Sequence, residues 1–340
     1  MFDYSKRLQG CVFLGLAILL TVSSAAFNHS CASERLPLST VADVPLSGHT
    51  TRWDYASLDP NSHLLFIAHL GDSVVTVFDT QQQKVVADIP DVNQAHGVLA
   101  IPELGRIYAS ATGTNEVVVI DAKTFKITAR IPAGGYPDGM AYAPEVHKLY
   151  VSDERGGTDT VIDVRSNMPV ATIPLGGEVG NTQYDPVSKH IFANVQSRRQ
   201  LIEIDPTTDE VVARTDLPGA KGNHGLYIDA PTHLAFIACE GNHKLLVLDL
   251  SSRQILSAFD VGNVPDVLAY DASLGWLYVA SEVGEVTLLK VQEHAVSLLG
   301  SAWLGPNAHV VAVDPESHRA YFPLKSLEGK PMLRITQAKL

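Results

Sequence analysis

A repeat of 42 residues dominates the sequence and limits the folds that it can adopt. The segment VVTVFDTQQQKVVADIP (residues 74–90) recurs as EVVVIDAKTFKITARIP (116–132) and again as TDTVIDVRSNMPVATIP (158–174). One aspartate marks the same point of successive units at intervals of 42 residues: Asp79, Asp121, Asp163 and Asp205. A period of this length with several short strands in each unit is typical of a β-propeller, in which four-stranded sheets surround a central channel as blades.

Each repeat unit carries four strand signals. In the second unit these are GVLAI (97–101), RIYAS (106–110), EVVVID (116–121) and KITARIP (126–132). The repeating aspartate ends the third strand, and a serine or threonine follows three residues later in several units. Because both side chains bond to nearby backbone amides in turns, we interpret these aspartates as turn formers. Proline cannot donate to a neighbouring strand, so Ile-Pro pairs are predicted to end the outer strands.

The register of the repeat gives seven units, the first starting near Asp54 and the last near His309. The last unit ends after its third strand, PMLRIT (331–336). The N-terminal segment VADVPLSG (41–48) matches the fourth-strand sequence TARIPAGG (128–135), so we predict that it completes the last blade. The predicted fold is all-β: a single seven-bladed β-propeller of four-stranded blades over residues 41–340, its ring closed by the N-terminal strand.

The first residues have the pattern of an export signal. Lys6 and Arg7 precede the apolar run CVFLGLAILLTV (11–22), and small residues follow at 24–26. We predict a signal peptide over residues 1–26, with cleavage as late as residue 33 as an alternative, and a linker over residues 27–40. The expected location is periplasmic or secreted, and an uncleaved membrane anchor is the competing interpretation. Cys239 lies inside the predicted propeller, where we expect a buried small side chain.

The charge balance excludes one class of partner. The net charge is −12, from 37 acidic and 25 basic residues. We expect no nucleic-acid partner, because binding to a phosphate backbone depends on Lys and Arg. We also expect no membrane contact beyond the signal segment, and a monomeric protein. The sequence contains no P-loop, dinucleotide-binding, nucleophile-elbow or haem-attachment motif.

The second strands carry the motif that links this chain to a known family. They read YVSD (150–153), YVAS (278–281) and FANV (192–195), which resemble the Tyr-Val-Thr-Asn signature of the YVTN-type (YncE-like) β-propeller repeat family. The segment IPAGGYPDGMAYAP (131–144) is similar to the blade junction of that family. The resemblance covers residues 41–337 and implies a seven-bladed propeller. It implies no single function, because such propellers include binding proteins, lactone-cleaving enzymes, lyases and redox partners.

Aspartate and histidine recur at the junction that precedes each innermost strand. Six of the seven junctions carry one of them: Asp54, His96, Asp138, His224, Asp266 and His309. The fourth junction has Gly180 beside Asn181, and in five junctions the next residue is glycine or valine. In a propeller this position lies at one mouth of the channel, where ligands of radial folds bind. We therefore predict that these six residues form a His/Asp ring around the mouth.

A second layer of polar residues is expected on the same face. The loop after the second strand places Glu154, Glu240 and Glu282 at one aligned position. Arg52 and Trp53 precede Asp54, and an aromatic ring with a cation can hold an anionic or planar ligand. The alternative for Trp53 is packing between the first and last blades. Clustered carboxylates and imidazoles also suit a divalent cation at the mouth, although no H-x-H or C-x-x-C pair supports a transition metal.

Two interpretations of the His/Asp ring remain open. Each imidazole can donate to a carboxylate of a neighbouring blade and lock the blades together, or the ring can bind a ligand. The leading functional hypothesis is a binding module for a small molecule or a protein partner at this face. The alternative is a metal-assisted hydrolase or lyase, similar to lactonases, that uses mouth carboxylates and a histidine acid/base. A docking platform for a redox partner is a third hypothesis.

Overall fold

Within residues 36–340, short apolar runs separated by turns form 28 strands in seven four-stranded antiparallel sheets. The computed structural model describes residues 36–340. The first strand, which belongs to the last blade, is β1 (Leu38–Pro45). The first blade is β2 (Ala56–Asp59), β3 (Leu64–His69), β4 (Val74–Asp79) and β5 (Lys84–Ile89). The second blade is β6 (Ala95–Ile101), β7 (Arg106–Ala111), β8 (Glu116–Asp121) and β9 (Ile127–Pro132). The third blade is β10 (Pro137–Ala143), β11 (Lys148–Asp153), β12 (Thr158–Asp163) and β13 (Met168–Pro174).

The remaining four blades follow the same order along the chain. The fourth blade is β14 (Val179–Asp185), β15 (His190–Val195), β16 (Gln200–Asp205) and β17 (Glu210–Asp216). The fifth blade is β18 (Asn223–Asp229), β19 (Leu234–Cys239), β20 (Lys244–Asp249) and β21 (Gln254–Asp260). The sixth blade is β22 (Pro265–Asp271), β23 (Trp276–Ser281), β24 (Glu285–Gln292) and β25 (Ala295–Trp303). The seventh blade combines β1 with β26 (Ala312–Asp314), β27 (Arg319–Leu327) and β28 (Lys330–Ala338).

The N-terminal strand closes the ring, as predicted. β1 pairs antiparallel with β28, with Leu38 opposite Ala338 and Pro45 opposite Met332, and the seventh sheet has the order β1-β28-β27-β26. The strand starts at Leu38, so the predicted boundary between linker (27–40) and propeller (41–340) is three residues late. Residues 38–40 belong to the strand because they pair with 336–338. The predicted signal peptide over residues 1–26 lies outside the described residues.

The repeating aspartates form the turns between third and fourth strands, as predicted. The backbone N–H groups of Lys123 and Thr124 donate to Asp121 Oδ1 at 3.1 and 2.7 Å. The turn ends at Phe125 in the left-handed region, with a φ of 57°. Backbone amides make the same kind of bond to the equivalent carboxylates of Asp79, Asp163, Asp205 and Asp249. These aspartates therefore stabilise their own turns.

The core lies between neighbouring blades. Second and third strands are almost continuously buried, whereas outer strands such as β5 alternate between exposed and buried residues. Phe66 of the first blade packs in one cluster with Val98 and Ile107 of the second. Innermost strands of consecutive blades contact one another, and β26 contacts β2, so their first residues surround one channel. Cys239 is buried in such a cluster, as expected. Over residues 36–340 the only helices are short 3-10 turns, such as Leu70–Asp72, and none could cross a membrane.

Candidate ligand-binding site at the channel mouth

Side chains from six blades converge at one mouth of the channel. Side chains of five of these blades line a space of about 340 Å³, which we call the mouth cavity. Eight residues of the predicted set line it: Arg52, Asp54, His96, Glu154, His224, Glu240, Asp266 and Glu282. Asp138 and His309 are fully buried and contact members of this lining, Asp138 through His96 and His224, and His309 through Asp266. The His/Asp ring thus exists as a set of neighbouring groups.

Two glycines explain how ring residues of adjacent blades come so close. A Cβ atom on Gly97, directly after His96, would lie 2.2 Å from the carbonyl oxygen of Asp138. A Cβ atom on Gly225, directly after His224, would lie 2.0 Å from the carbonyl oxygen of Asp266. Only a residue without a side chain allows this approach between inner strands. The His-Gly pairs of the sequence therefore place each imidazole against the next blade.

His96 and Asp54 form the tightest contact of the ring. His96 Nε2 lies 3.1 Å from Asp54 Oδ2, and its Nδ1 lies 3.7 Å from Asp138 Oδ1. Burial disfavours a charged imidazole, but Asp54 and Asp138 outweigh it and raise the pKa of His96 to about 10. Burial likewise opposes ionisation of Asp54, yet His96 and Arg52 hold the pKa of that carboxyl well below its usual range. Both groups are therefore charged at neutral pH.

His224 has a looser environment than His96. Its Nε2 lies 3.6 Å from Asp138 Oδ2 and 3.7 Å from Asp266 Oδ1, distances too long for hydrogen bonds. Although burial opposes its charge, Glu240 and Asp266 contribute most to raising the pKa of His224 to about 9. Burial raises the pKa of Asp266 to about 6 and also raises the pKa values of Asp138 and Glu240. The carboxyl groups on this side of the mouth therefore hold their protons more tightly than free carboxyl groups do.

Arg52 bridges the other side of the mouth. Its Nε donates to Asp54 Oδ2 at 2.8 Å, and its Nη1 donates to Glu282 Oε1. Its Nη2 lies 3.8 Å from Asp266 Oδ2. Burial opposes the charge of Arg52, but these three carboxylates raise its pKa above the usual value. His309 lies behind this group, with Nδ1 3.1 Å from the carbonyl oxygen of Asn307. Arg52 therefore acts as an internal cation for one half of the mouth.

Several buried polar atoms of the ring lack hydrogen-bond partners among residues 36–340. They are Asp54 Oδ1, both carboxyl oxygens of Asp138, Asp266 Oδ1 and His309 Nε2. All four side chains are at most 4% exposed. Buried polar atoms are normally paired, since an unpaired one costs about 1–3 kcal/mol. These five atoms leave the ring with hydrogen-bonding capacity that the described residues do not use.

Tyr55 crosses the channel below the ring. Its hydroxyl donates to Asn181 Oδ1 of the fourth blade and lies 3.5 Å from His224 Nε2. Burial raises the pKa of Tyr55 well above its usual value. A space of about 310 Å³, lined by the innermost strands, lies beyond Tyr55. The predicted site omitted Tyr55 and Asn181, but the sequence held a signal: these two replace the glycine or valine that follows the other junction residues.

Trp53 does not line the mouth cavity, contrary to the ligand-binding prediction. Its side chain is fully buried, stacks on His69 with ring centroids 3.6 Å apart, and packs with Tyr321 of the seventh blade. The alternative interpretation, packing between first and last blades, is the observed one. Tyr136 and Arg155 line the cavity instead, with the Arg155 guanidinium carbon 3.8 Å from the Tyr136 ring centroid. Sequence reasoning missed both, because neither residue type recurs at its repeat position.

Two groups of side chains have the chemistry to hold a metal ion. Asp54, Asp266 and His309 bring three potential ligand atoms within 4.8 Å of one another, and His224, Glu240 and Asp266 form a second such group. Imidazole nitrogen and carboxylate oxygen are common ligands of divalent ions. Asp266 belongs to both groups. The predicted divalent cation at the mouth therefore has two candidate positions.

Comparison with known proteins supports the fold and leaves the family open. A chain of Kuenenia stuttgartiensis Hydrazine Synthase aligns with a TM-score of 0.72 and 16% sequence identity, covering 82% of this chain and 94% of that chain. At this identity the likeness concerns the fold alone. No protein-family model and no curated protein matches the sequence, so the resemblance to the YVTN-type family is not confirmed. The seven-bladed β-propeller is established by its seven sheets.

Proposed function

We propose that this protein is a binding module that takes up a small cationic ligand in the mouth cavity. The observation that carries the proposal is that Asp54 and Asp266, which line the cavity, each have a buried carboxylate oxygen without a partner among residues 36–340. A ligand that brings positive charge or N–H donors satisfies these atoms and removes a penalty of about 1–3 kcal/mol for each. The propeller supplies a rigid frame for such a site, since every member lies at or near the end of a strand.

The charge of the lining favours a cation over an anion. Six carboxyl groups surround the cavity or lie directly behind it: Asp54, Asp138, Glu154, Glu240, Asp266 and Glu282. Four lining residues carry positive charge against these six groups at neutral pH: Arg52, Arg155 and, because of their raised pKa values, His96 and His224. Arg52 is already bound to Asp54 and Glu282, so it offers little to an anionic ligand. The earlier expectation of an anionic ligand at Arg52 is therefore disfavoured on this geometry.

We further propose that the module is exported to the periplasm or to the outside of the cell. The support is the basic, apolar and small-residue pattern of residues 1–26. Cell fractionation and mass measurement of the mature N-terminus test this part independently. A mature chain that still starts at Met1 and stays in the cytoplasmic fraction contradicts it.

The binding proposal is tested with a panel of small cations. Putrescine, choline and arginine are titrated calorimetrically into the purified protein, with thermal unfolding measured in parallel. A true ligand at 100 times its Kd stabilises the folded state by about 2.7 kcal/mol. His224→Ala is expected to abolish binding in a variant that still unfolds cooperatively. His294→Ala is the matched control, because His294 is an exposed residue at the turn between β24 and β25.

The same variants distinguish a binding site from an inter-blade lock. If His224→Ala lowers the melting temperature and the folded variant still binds the ligand, the ring is structural and the proposal is wrong. If no member of the panel binds and divalent metal ions fail as well, a cation site at the mouth is refuted.

A metal-assisted hydrolase is the second candidate. It is favoured by the group formed by His224, Glu240 and Asp266, with the Tyr55 hydroxyl 3.5 Å from His224 Nε2. A metal ion in such a group activates water, and a neighbouring titratable side chain moves the proton. Hydrolysis of simple lactones by the metal-loaded protein, abolished by a chelator and restored by the metal, supports this candidate. Turnover that survives complete metal removal contradicts it.

A further inference from the structure

The two metal-capable groups at the mouth differ in their surroundings. In the group of Asp54, Asp266 and His309, the guanidinium of Arg52 already touches the first carboxylate at 2.8 Å and approaches the second at 3.8 Å. A fixed cation at this point repels a metal ion and uses the carboxylate lone pairs that would bind it. This group is therefore already neutralised by the protein itself.

The second group shares the 3.8 Å approach of Arg52 Nη2 to Asp266 Oδ2. Within residues 36–340 it lacks a guanidinium contact as close as the 2.8 Å contact between Arg52 and Asp54. We propose that His224, Glu240 and Asp266 bind a divalent first-row transition-metal ion, with His224 Nε2 as the nitrogen ligand. This inference rests on the proposed function, because it names the cation that the mouth cavity takes up. Its ligand set of two carboxylates and one imidazole, which releases its Nε2 proton when the ion binds, suits Zn²⁺, Co²⁺ or Mn²⁺.

The distances fit a bridging ion better than direct contacts. His224 Nε2 and Asp266 Oδ1 are 3.7 Å apart, which is too far for a hydrogen bond. Two ligand atoms at about 2.0–2.1 Å from a tetrahedral ion are separated by about 3.4 Å. The observed separation therefore needs a contraction of only a few tenths of an ångström to close on the ion.

An independent observation at Asp266 points to a missing partner. Its side chain is 4% exposed, and Oδ1 is without a hydrogen-bond partner within residues 36–340. This oxygen is the one that faces His224 Nε2. The carboxylate oxygen faces the imidazole nitrogen, but the two are too far apart to form a hydrogen bond with each other. An ion between them would bind both atoms.

The backbone fixes all three side chains before any ion arrives. His224 lies in β18 and Glu240 directly follows β19, and these strands pair with Asn223 opposite Cys239. Asp266 lies in β22 of the next blade, which contacts β18. Asn194 Nδ2 donates to the carbonyl oxygens of His224 and Gly225 at 3.0 and 3.1 Å. Support of this kind keeps ligands in place and raises metal affinity.

The ligand set leaves coordination positions free. Three protein ligands around a divalent ion are typical of sites whose remaining positions hold water or a small ligand. Those positions open into the mouth cavity, which Glu240 and Asp266 both line. The ion would therefore be accessible to a further molecule from the same face.

The test measures binding of Zn²⁺ and Co²⁺ to the chelator-treated full-length protein. Calorimetry with Zn²⁺ gives stoichiometry and Kd, and visible absorption of bound Co²⁺ reports coordination rather than loose attraction. We expect one equivalent to bind. His224→Ala and Glu240→Gln should each raise the Kd for the metal at least 10-fold. Loss of a residue that only supports a metal ligand already costs about 10-fold or more, so loss of a ligand should cost at least as much. Glu178→Gln, which removes the same charge from an exposed position just before β14, should leave Kd unchanged.

The outcomes separate this inference from the proposed function. No saturable Zn²⁺ binding, or equal weakening by Glu240→Gln and Glu178→Gln, overturns the metal site. If an organic cation still binds in that case, the binding module stands and only the identity of its cation is wrong. Thermal unfolding of each variant shows that it is folded before its Kd is interpreted. If neither class of cation binds, both proposals fail.

Discussion

Replacing His96 with glutamine tests whether this part of the His/Asp ring locks the blades together. The charged imidazole faces Asp54 at 3.1 Å and Asp138 at 3.7 Å, and these two carboxylates favour its protonated form. Arg52 opposes the charge, and the rings of Tyr55 and Tyr136 pack against the imidazole at centroid distances of 6.3 and 5.4 Å. Glutamine keeps a polar amide at this position but cannot carry the charge.

The direction of the pH dependence follows from the raised pKa of His96. Its pKa rises from 6.5 in the unfolded chain to about 10 in the folded protein. The stabilisation is therefore fully present below pH 6.5 and is lost as the pH rises through 10. At about 1.36 kcal/mol for each pKa unit, the free energy of unfolding attributable to this charge falls by about 4 kcal/mol between pH 6 and pH 10. Asp54 acts oppositely, and its contribution is lost only in acid.

The assay is urea unfolding of wild type and His96→Gln at intervals between pH 6 and pH 10. The difference in free energy of unfolding between the two proteins removes the contributions of other titrating groups. We expect a difference of about 5 kcal/mol at pH 6 that shrinks to less than about 1 kcal/mol at pH 10. His294→Gln, at the exposed turn, should show no such trend. A difference that stays constant across this range refutes the charged His96–Asp54 lock.

Three further predictions concern the frame of the site. Gly225→Ala should lower the free energy of unfolding by about 1–3 kcal/mol or more in chemical denaturation, because the added Cβ would lie 2.0 Å from the carbonyl oxygen of Asp266. Gly135→Ala is the control and should be nearly neutral, because a Cβ there meets only ordinary van der Waals contacts. Trp53→Ala should cost about 3–5 kcal/mol by the same measurement, yet ligand affinity at 10 °C should be unchanged because the ring lies outside the cavity. Deleting residues 38–45 leaves β28 as an unpaired edge strand. The truncated chain should therefore lose its cooperative thermal transition, or associate through that edge and elute early in size-exclusion chromatography. A chain that starts at residue 36 is the control and should do neither. A truncated chain that melts like the longer one contradicts this view of ring closure.

The fold could be predicted because the repeat encodes it locally. Each unit carries its own strands and its own turn, and the turn at Asp121 is stabilised by the amides of the next few residues. Seven copies of such a unit bury their apolar faces when they form a ring, because each blade then packs against the next. The closure by β1 was also predictable, since its sequence matches the fourth strand that the last unit lacks. The start of β1 was misplaced by three residues because pairing at a strand end depends on the partner strand.

The candidate site could be predicted only in part. The repeat register places one Asp or His side chain from six of the seven blades at the channel mouth, so the alignment of Asp54, His96 and their equivalents is enough to predict the ring. The alignment does not show that the side chains of Arg52 and Trp53 point in different directions. Arg52 lines the mouth cavity, whereas Trp53 packs between the first and seventh blades. Neighbouring residues of an extended segment point to opposite sides, and only packing decides which side is the cavity.

The repeat alone is enough to predict a seven-bladed ring and the six residues of its His/Asp ring, because both follow from a period that every unit repeats. How the side chains at the mouth divide their contacts across the channel depends on the packing of the blades. Arg52 neutralises one half of the mouth, Tyr55 reaches Asn181 in the fourth blade, and the group around His224 keeps carboxylate oxygens without partners in the described chain. The contacts of Tyr55 with Asn181 and of Arg52 with Glu282 join residues 126 and 230 positions apart in the chain, and their energies depend on burial and distance, which a linear pattern does not contain.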